Sequence, residues 1–242
     1  MVSFLIQVDD DNRFMHDFTF YLDLAIKRNN WFHNEEVYKA VYSNDVKNTI
    51  FKNCIPVGSV EFVSSFYKEH FNINQIKPIN IPDSLNKFEY LGRKIVKSTK
   101  ENIESLKDGR YFIKDNSKIK GLTDIVYKKD IPVYKDMIVS ELLDIESEWR
   151  GFIFRGNLLD IRSYSGDPFI FPNINKVRNM MKDFKEAPEA YTIDVGITSD
   201  GDTVLIEVHD FFSCGLYGFD DAKKLANMYI STHREILKKY IK

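Results

Sequence analysis

Residues 191–209 read YTIDVGITSDGDTVLIEVH, two alternating, β-branched runs around an Asp200-Gly201 pair. Such a pair between such runs signals a tight hairpin, because both central residues of the turn need positive φ. With Asp200 and Gly201 as the loop, strand residues pair at equal distances from the turn. Asp194 then falls opposite Glu207, and Thr192 opposite His209. The same register sets Ile193 against Val208, Val195 against Ile206 and Ile197 against Val204, leaving the other face apolar and ready to pack on a core. Two carboxylates facing each other across a strand pair repel by a few tenths to roughly 1 kcal/mol unless a cation lies between them. A hard divalent ion such as Mg2+, which takes one or two carboxylates together with substrate phosphates, would relieve this. A solvated polar face, screened by water and nearby lysines, is the competing reading. A three-residue loop would break the pairing.

Outward from this hairpin, the chain has 242 residues, 43% hydrophobic and 14% aromatic, enough for a sizeable core in one large domain or two small ones. The formal net charge of -2 gives no global attraction for nucleic acid or an anionic membrane, so neither is expected as a partner. The two cysteines, Cys54 and Cys214, lie far apart and lack zinc-ligand spacing, which fits a reducing cytoplasm. No stretch reaches the ~18 apolar residues of a membrane span, and the opening MVSFLIQVDDDNR lacks the form of a signal peptide.

Phe4 to Val8 reads as an opening strand that runs into Asp9-Asp10-Asp11, a solvated loop or a metal site. Phe18 to Lys27 fits strand or helix. Residues 49–63, TIFKNCIPVGSVEFV, read as two short strands around Pro56-Val57-Gly58, with a helix following over SSFYKEHF. The prolines of KPINIP, residues 77–82, favour an extended linker and place a domain boundary there: 1–80 a small α/β accessory region, 81–242 the main domain. Beyond it, a short helix over Glu101 to Leu106 and strands over Arg110 to Lys114 and Met137 to Leu143 are expected. The chain closes on an amphipathic helix from Asp220 to Lys242, acidic at its start and basic at its end.

A second hairpin, EWRGFIFRGNLLDIRSYSGD, repeats the logic with opposite charge. If Arg155 to Asn157 form a three-residue loop, Arg150 faces Arg162, and two facing guanidiniums suit a phosphate or carboxylate between them. Each arginine could instead pair with an acid such as Glu148 or Asp160, and a Gly156-Asn157 loop would shift the register. Lys114 ends the strand RYFIK before the loop DNSKIKG, which holds Lys118, Lys120 and Gly121. A lysine there can place a point charge on a phosphate beneath a covering loop. Glu141, among the apolar residues of MIVSELLDI, is an acid available to a ribose or a basic partner. Neither a G-x-S-x-G elbow nor a P-loop nor a G-x-G-x-x-G turn is present, so a phosphate site must be built from side chains on strands.

A strand lysine, an apolar segment with an acid, an E-x-R hairpin and an acid on each strand of a later hairpin resemble the ATP-grasp superfamily. The segments LGRKI, YFIKD, VSELLDIESEWRGFIFRG, YTIDVGI and LIEVHDFFSCGLYGFD are similar to one divergent clade of it. That clade is typified by the cell-division-cycle protein that assists assembly of a eukaryotic translation initiation factor, with bacterial and phage relatives. The likeness covers roughly Pro82 to Lys242. It implies an α+β fold of two subdomains gripping ATP, preceded by the accessory region. It further implies that Lys114, with Lys94 as a second candidate, binds nucleotide phosphates, and that Glu141, Leu142 and Leu143 line the adenine with Glu141 toward the ribose. Arg150 and Arg162 would face the γ-phosphate or a phosphorylated substrate, and Asp194 and Glu207 would hold Mg2+. His209 stands where the superfamily often has Asn; imidazole suits zinc better than Mg2+, although it can donate to a phosphate. The implied activity is ATP-dependent ligation of a carboxylate, on a peptide, protein or small molecule, to an amine or other nucleophile through an acyl phosphate. The alternative is an assembly chaperone that binds ATP without turnover.

Overall fold

The computed structural model describes residues 1–119 and 121–241, so Lys120 of the expected covering loop and the terminal Lys242 lie outside the described residues. In chain order the elements are β1 (Val2–Gln7), α1 (Asp17–His33), β2 (Tyr38–Ser43), β3 (Cys54–Val57), α2 (Val60–Phe71), α3 (Phe88–Leu91), β4 (Ile95–Ser98), α4 (Lys100–Ser105), β5 (Arg110–Asp115), β6 (Thr123–Tyr127), β7 (Tyr134–Ser140), β8 (Ile145–Phe154), β9 (Asn157–Gly166), α5 (Ile174–Asp183), β10 (Ala190–Thr198), β11 (Thr203–Asp210) and α6 (Ala222–Tyr240).

They form three sheets: a parallel one ordered β2-β1-β3, an antiparallel one ordered β11-β10-β8-β9, and another ordered β4-β7-β5-β6. Phe18 to Lys27 is helical, because Phe18, Leu22, Ala25 and Ile26 recur on one buried stripe. Thr49–Asn53 is a 3-10 turn rather than a strand. Helix α2 starts at Val60, ahead of the expected Ser64, because Ser59 caps it by accepting a 3.2 Å hydrogen bond from the Phe62 N–H. Among the described residues no helix is long and apolar enough to cross a membrane.

Both hairpins reach their expected charge pairing by an unexpected route. In the first, Ser199, Asp200 and Gly201 form a three-residue loop: the Thr198 N–H donates to the Asp202 carbonyl at 2.9 Å, and Gly201 takes φ of 84°. Ile197 therefore pairs with Thr203 and Val195 with Leu205, not with Val204 and Ile206. Ile206 is an extra, unpartnered residue, a bulge that restores the register so that Asp194 still faces Glu207 and Thr192 still faces His209. In the second, the loop is the two-residue Arg155-Gly156, with φ of 49° and 73°, instead of three residues. A register shift after Phe152, at Leu159, then brings Arg150 opposite Arg162.

The sheet β11-β10-β8-β9 has two different faces. Trp149, Ile153, Ile193, Val195, Leu205 and Val208 pack one face on α3 and α5 through Tyr90, Leu91, Val177 and Met180. On the other face Phe152, Phe154, Ala190 and Phe211 join a core with Phe4, Leu22, Ile55 and Tyr229, so β1, β3, α1 and α6 share that core with the sheet. Where this apolar cover ends, the same face carries its charges. Residues 77–82 form a strap along the edge strand β11, where the Val208 N–H donates to the Asn80 carbonyl at 2.7 Å.

Helix α6 also buries His233 against α2, where its Nδ1 lies 2.8 Å from the Tyr67 hydroxyl. Burial, reinforced by Arg234, pulls the imidazole down to about 4, so the folded protein holds it neutral. The unfolded chain takes up a proton below about 6.5 and the folded one does not, so this contribution is whole above 6.5 and is lost as pH falls toward 4. In urea unfolding, the stability difference between wild type and His233→Gln is expected to shrink by on the order of 3 kcal/mol between pH 7 and pH 4. A pH-independent difference would contradict it.

Candidate functional site

One cross-strand row carries the site. Glu207 on β11 faces Asp194 on β10, Asp194 faces Arg150 on β8, and Arg150 faces Arg162 on β9. Two negative positions thus lie beside two positive ones. At the centre, the Arg150 Nε and Nη2 donate to the two Asp194 carboxylate oxygens at 2.8 and 2.7 Å, and Nη1 lies 3.3 Å from the Gly215 carbonyl. Tyr164 and Tyr217 stack on each other at 5.2 Å and lie 5.6 and 5.3 Å from the guanidinium, completing its cage. Asp194 is 2% exposed. Burial would lower the Arg150 pKa, but Asp194 outweighs it and holds the guanidinium charged. The expected anion between the facing arginines is replaced in this arrangement by acids on each: Asp194 on Arg150, and Asp160 on Arg162 at 2.6 Å.

Glu207 is held from two sides. His209 Nε2 lies 2.9 Å from its Oε1, and the Lys114 ammonium, reaching over from the facing sheet, donates to Oε2. Burial would raise the Glu207 carboxyl, but His209 and then Lys114 hold it down at about 2. The ligand atoms of Asp194, Glu207 and His209 lie within 4.8 Å of one another, the one such cluster found among the described residues. The Asp9-Asp10-Asp11 loop forms none: Asp9 instead accepts from the backbone N–H groups of Asp11 and Arg13 at 3.0 and 2.8 Å. Two carboxylates suit Mg2+, and the spare lone pairs of Asp194 let it serve Arg150 and a metal together. His209 already has a role as donor to Glu207.

Lys114 and Glu207 stand where two cavities meet. The first, about 600 Å³, lies between the two antiparallel sheets and is lined by Ile95, Phe112, Ile138, Ile145 and Ile206, with Glu141, Leu142 and Leu143 at its rim. The bulge explains why Ile206 and Glu207, adjacent in sequence, both line it. The second, about 360 Å³, is more polar and is bounded by Arg150, His209, Asp210, the loop 212–215, Tyr217, the strap and the first turn of α2. Burial pushes the Asp210 carboxyl up to about 6 and the Cys214 thiol up to about 12, which leaves that thiol unreactive at neutral pH.

Of the residues singled out from sequence, Lys114, Glu141, Leu142, Leu143, Arg150, Glu207 and His209 line these cavities, and Asp194 lies directly behind Arg150. Lys94 lines neither; its backbone N–H donates to the Glu141 carboxylate at 2.8 Å. Arg162 sits at the far end of the row, partly exposed. Sequence reasoning missed Arg93, Tyr164 and Tyr217. The Arg93 guanidinium lines the larger cavity with only neutral partners: the Ser140 hydroxyl and the Leu91 and Leu205 carbonyls, all at 2.9 Å. The apolar lining was legible in part, since Phe112 and Lys114 share a face of β5 and Ile138 and Ser140 a face of β7.

Two antiparallel sheets closing on such a cleft, with a parallel α/β region before them, define an ATP-grasp fold. Residues 90–227 match a family described as an ATP-grasp domain, family 2 of its clade, and the chain belongs to that family. D-alanine–D-alanine ligase from Bacillus anthracis, complexed with ATP, is similar over 98% of both chains, at 15% identity and a TM-score of 0.52. The macrocyclase MdnC from Microcystis aeruginosa MRC, bound with precursor peptide MdnA, is similar over 96% of this chain and 99% of its own, at 13% identity and a TM-score of 0.51. N5-carboxyaminoimidazole synthetase from Staphylococcus aureus, complexed with ADP, is similar over 86% and 69%, at 10% identity and a TM-score of 0.54. At these identities the likeness is one of fold. No curated protein sequence matches the chain.

Removing one member of a buried ion pair strands the other. Asp194→Ala is expected to cost about 3–5 kcal/mol of stability in urea unfolding, and the double variant Asp194→Ala/Arg150→Met to regain much of it. A single variant as stable as wild type would contradict the buried pairing.

Proposed function

We propose that the chain binds ATP with Mg2+ in this cleft and uses it to activate a carboxylate as an acyl phosphate, which an amine or another nucleophile then attacks. The observation that carries this reading is Lys114 bridging the two sheets to Glu207 where the apolar and polar cavities join. The apolar cavity suits a nucleobase between Ile95, Ile138, Ile145 and Ile206, with Glu141 toward the ribose and the backbone of Leu142 and Leu143 along the base edge. Lys114 would leave Glu207 for the phosphates. Glu207 and Asp194 would then hold Mg2+, which supplies neutralisation of the phosphate charge. His209, donating to Glu207, orients that carboxylate. Arg150 faces the smaller cavity, where the acceptor and the transferring phosphoryl group would meet; Arg162 and Lys94 have supporting roles at most in this arrangement.

In the first step a carboxylate oxygen of the acceptor attacks the γ-phosphorus and ADP departs. In the second, the nucleophile attacks the acyl carbon, inorganic phosphate leaves, and an amine gives up its proton. Lys114 and Arg150 lower the barrier by placing fixed positive charge where phosphoryl charge spreads. The acceptor is a peptide, a protein or a small carboxylate; MdnC, bound with a precursor peptide, gives the peptide its place in that range. Kinship with the initiation-factor assembly protein, a boundary near residue 80 and a reducing cytoplasmic setting belong to the same proposal. Cys54 and Cys214 are both free and buried.

Calorimetric titration with ATP is expected to show binding that Mg2+ strengthens, and Glu207→Gln to lose that Mg2+ dependence while remaining folded. ATP affinity indifferent to Mg2+ in the wild type would overturn the site. Mg2+-dependent ADP release stimulated by a carboxylate and an amine separates the ligase from a protein that binds ATP without turnover.

A further inference from the structure

We infer that Arg93 is a positioning residue that fixes Glu207 through the carbonyl of Leu205, tying the rim of the larger cavity to the bulge of β11. The inference rests on the proposed metal role of Glu207. Arg93 follows Gly92, whose φ of 61° turns the chain after α3 so close to β11 that an added Cβ would come within 2.8 Å of Val204 Cγ1. From this corner the guanidinium reaches three acceptors in different directions, as a rigid planar fork can and a lysine cannot. Nη1 donates to the Leu205 carbonyl at 2.9 Å, and Leu205 is the residue immediately before the inserted Ile206. β11 is an edge strand, so groups on its outer side must be satisfied from beyond the sheet. The strap serves Val208 in this way, and Arg93 serves Leu205.

Between those two anchors lie only Ile206 and Glu207, the pair that the bulge turns into the cleft. At its other end Arg93 Nε donates to the Ser140 hydroxyl at 2.9 Å, and Ser140 precedes the Glu141–Leu143 rim of the cavity. One side chain therefore spans the nucleobase end of the facing sheet and the carboxylate end of β11. Without it the Leu205 carbonyl loses its partner, the edge relaxes, and Glu207 drifts from Lys114 and His209.

The test compares wild type, Arg93→Ala and Arg93→Lys by ATP titration with and without Mg2+. The ratio of the Kd without Mg2+ to the Kd with it is expected to fall about tenfold in Arg93→Ala, the size of one charged hydrogen bond, with partial recovery in Arg93→Lys. The Mg2+-free Kd is expected to change by no more than about twofold. An unchanged ratio would overturn the inference, as would a loss confined to Mg2+-free binding, which would make Arg93 a direct nucleotide contact. Should wild type show no Mg2+ dependence, the proposed site fails, and ligand-free amide hydrogen exchange decides the inference separately. Faster exchange confined to residues 206–208 in either variant supports it; exchange equal to wild type refutes it.

Discussion

The bidentate pair of Arg150 and Asp194 is the constraint on which the rest of the site depends. A guanidinium and a carboxylate at 2.8 and 2.7 Å, almost out of reach of water, cost more to separate than any surface ion pair. That pair fixes the register of β8 on β10. With the register fixed, Glu207 and Arg162 fall at the two ends of the row, one beside the cleft and one toward solvent. The cage of Tyr164, Tyr217 and the Gly215 carbonyl leaves the guanidinium a single orientation, at the wall of the smaller cavity.

Glu207 behaves differently because its partners are replaceable. Lys114 comes from the other sheet, and its bond to Glu207 is the direct electrostatic tie between the sheets across the cleft. An ammonium in front of a carboxylate occupies the position a divalent cation would take, so nucleotide phosphates and metal can arrive by exchange of one cation for another. The carboxylate held at about 2 is ionised throughout the physiological range, as a metal ligand must be.

The charge row was legible in the sequence because alternation in strands has a period of two, and an error in the turn displaces the pairing by a definite amount. Both turns were misread: Ser199 joins the first loop, and Asn157 belongs to β9 rather than to the second. Bulges at Ile206 and Leu159 cancelled the errors at the charged positions alone, which is why Asp194–Glu207 and Arg150–Arg162 held while Val195 and Ile197 did not. The pairing of Arg150 with Asp194 was hidden, since it joins strands that are not consecutive in sequence. The strands β2 and β6 and helix α5 carried too short or too polar a pattern to declare themselves. Arg93 gave no periodic signal, because its importance comes from a corner that packs across two sheets.

The central claim is that Asp194 and Glu207, with His209 beside them, form the cation end of a nucleotide site whose other end is the apolar cavity. The most direct test is anomalous scattering from crystals grown with Mn2+ in place of Mg2+ and a non-hydrolysable ATP analogue. The account predicts an Mn2+ peak against the Glu207 and Asp194 carboxylates, with Lys114 turned onto the phosphates and the base between Ile138 and Ile206. A nucleotide bound with Lys114 still on Glu207, or with its metal elsewhere, would contradict it.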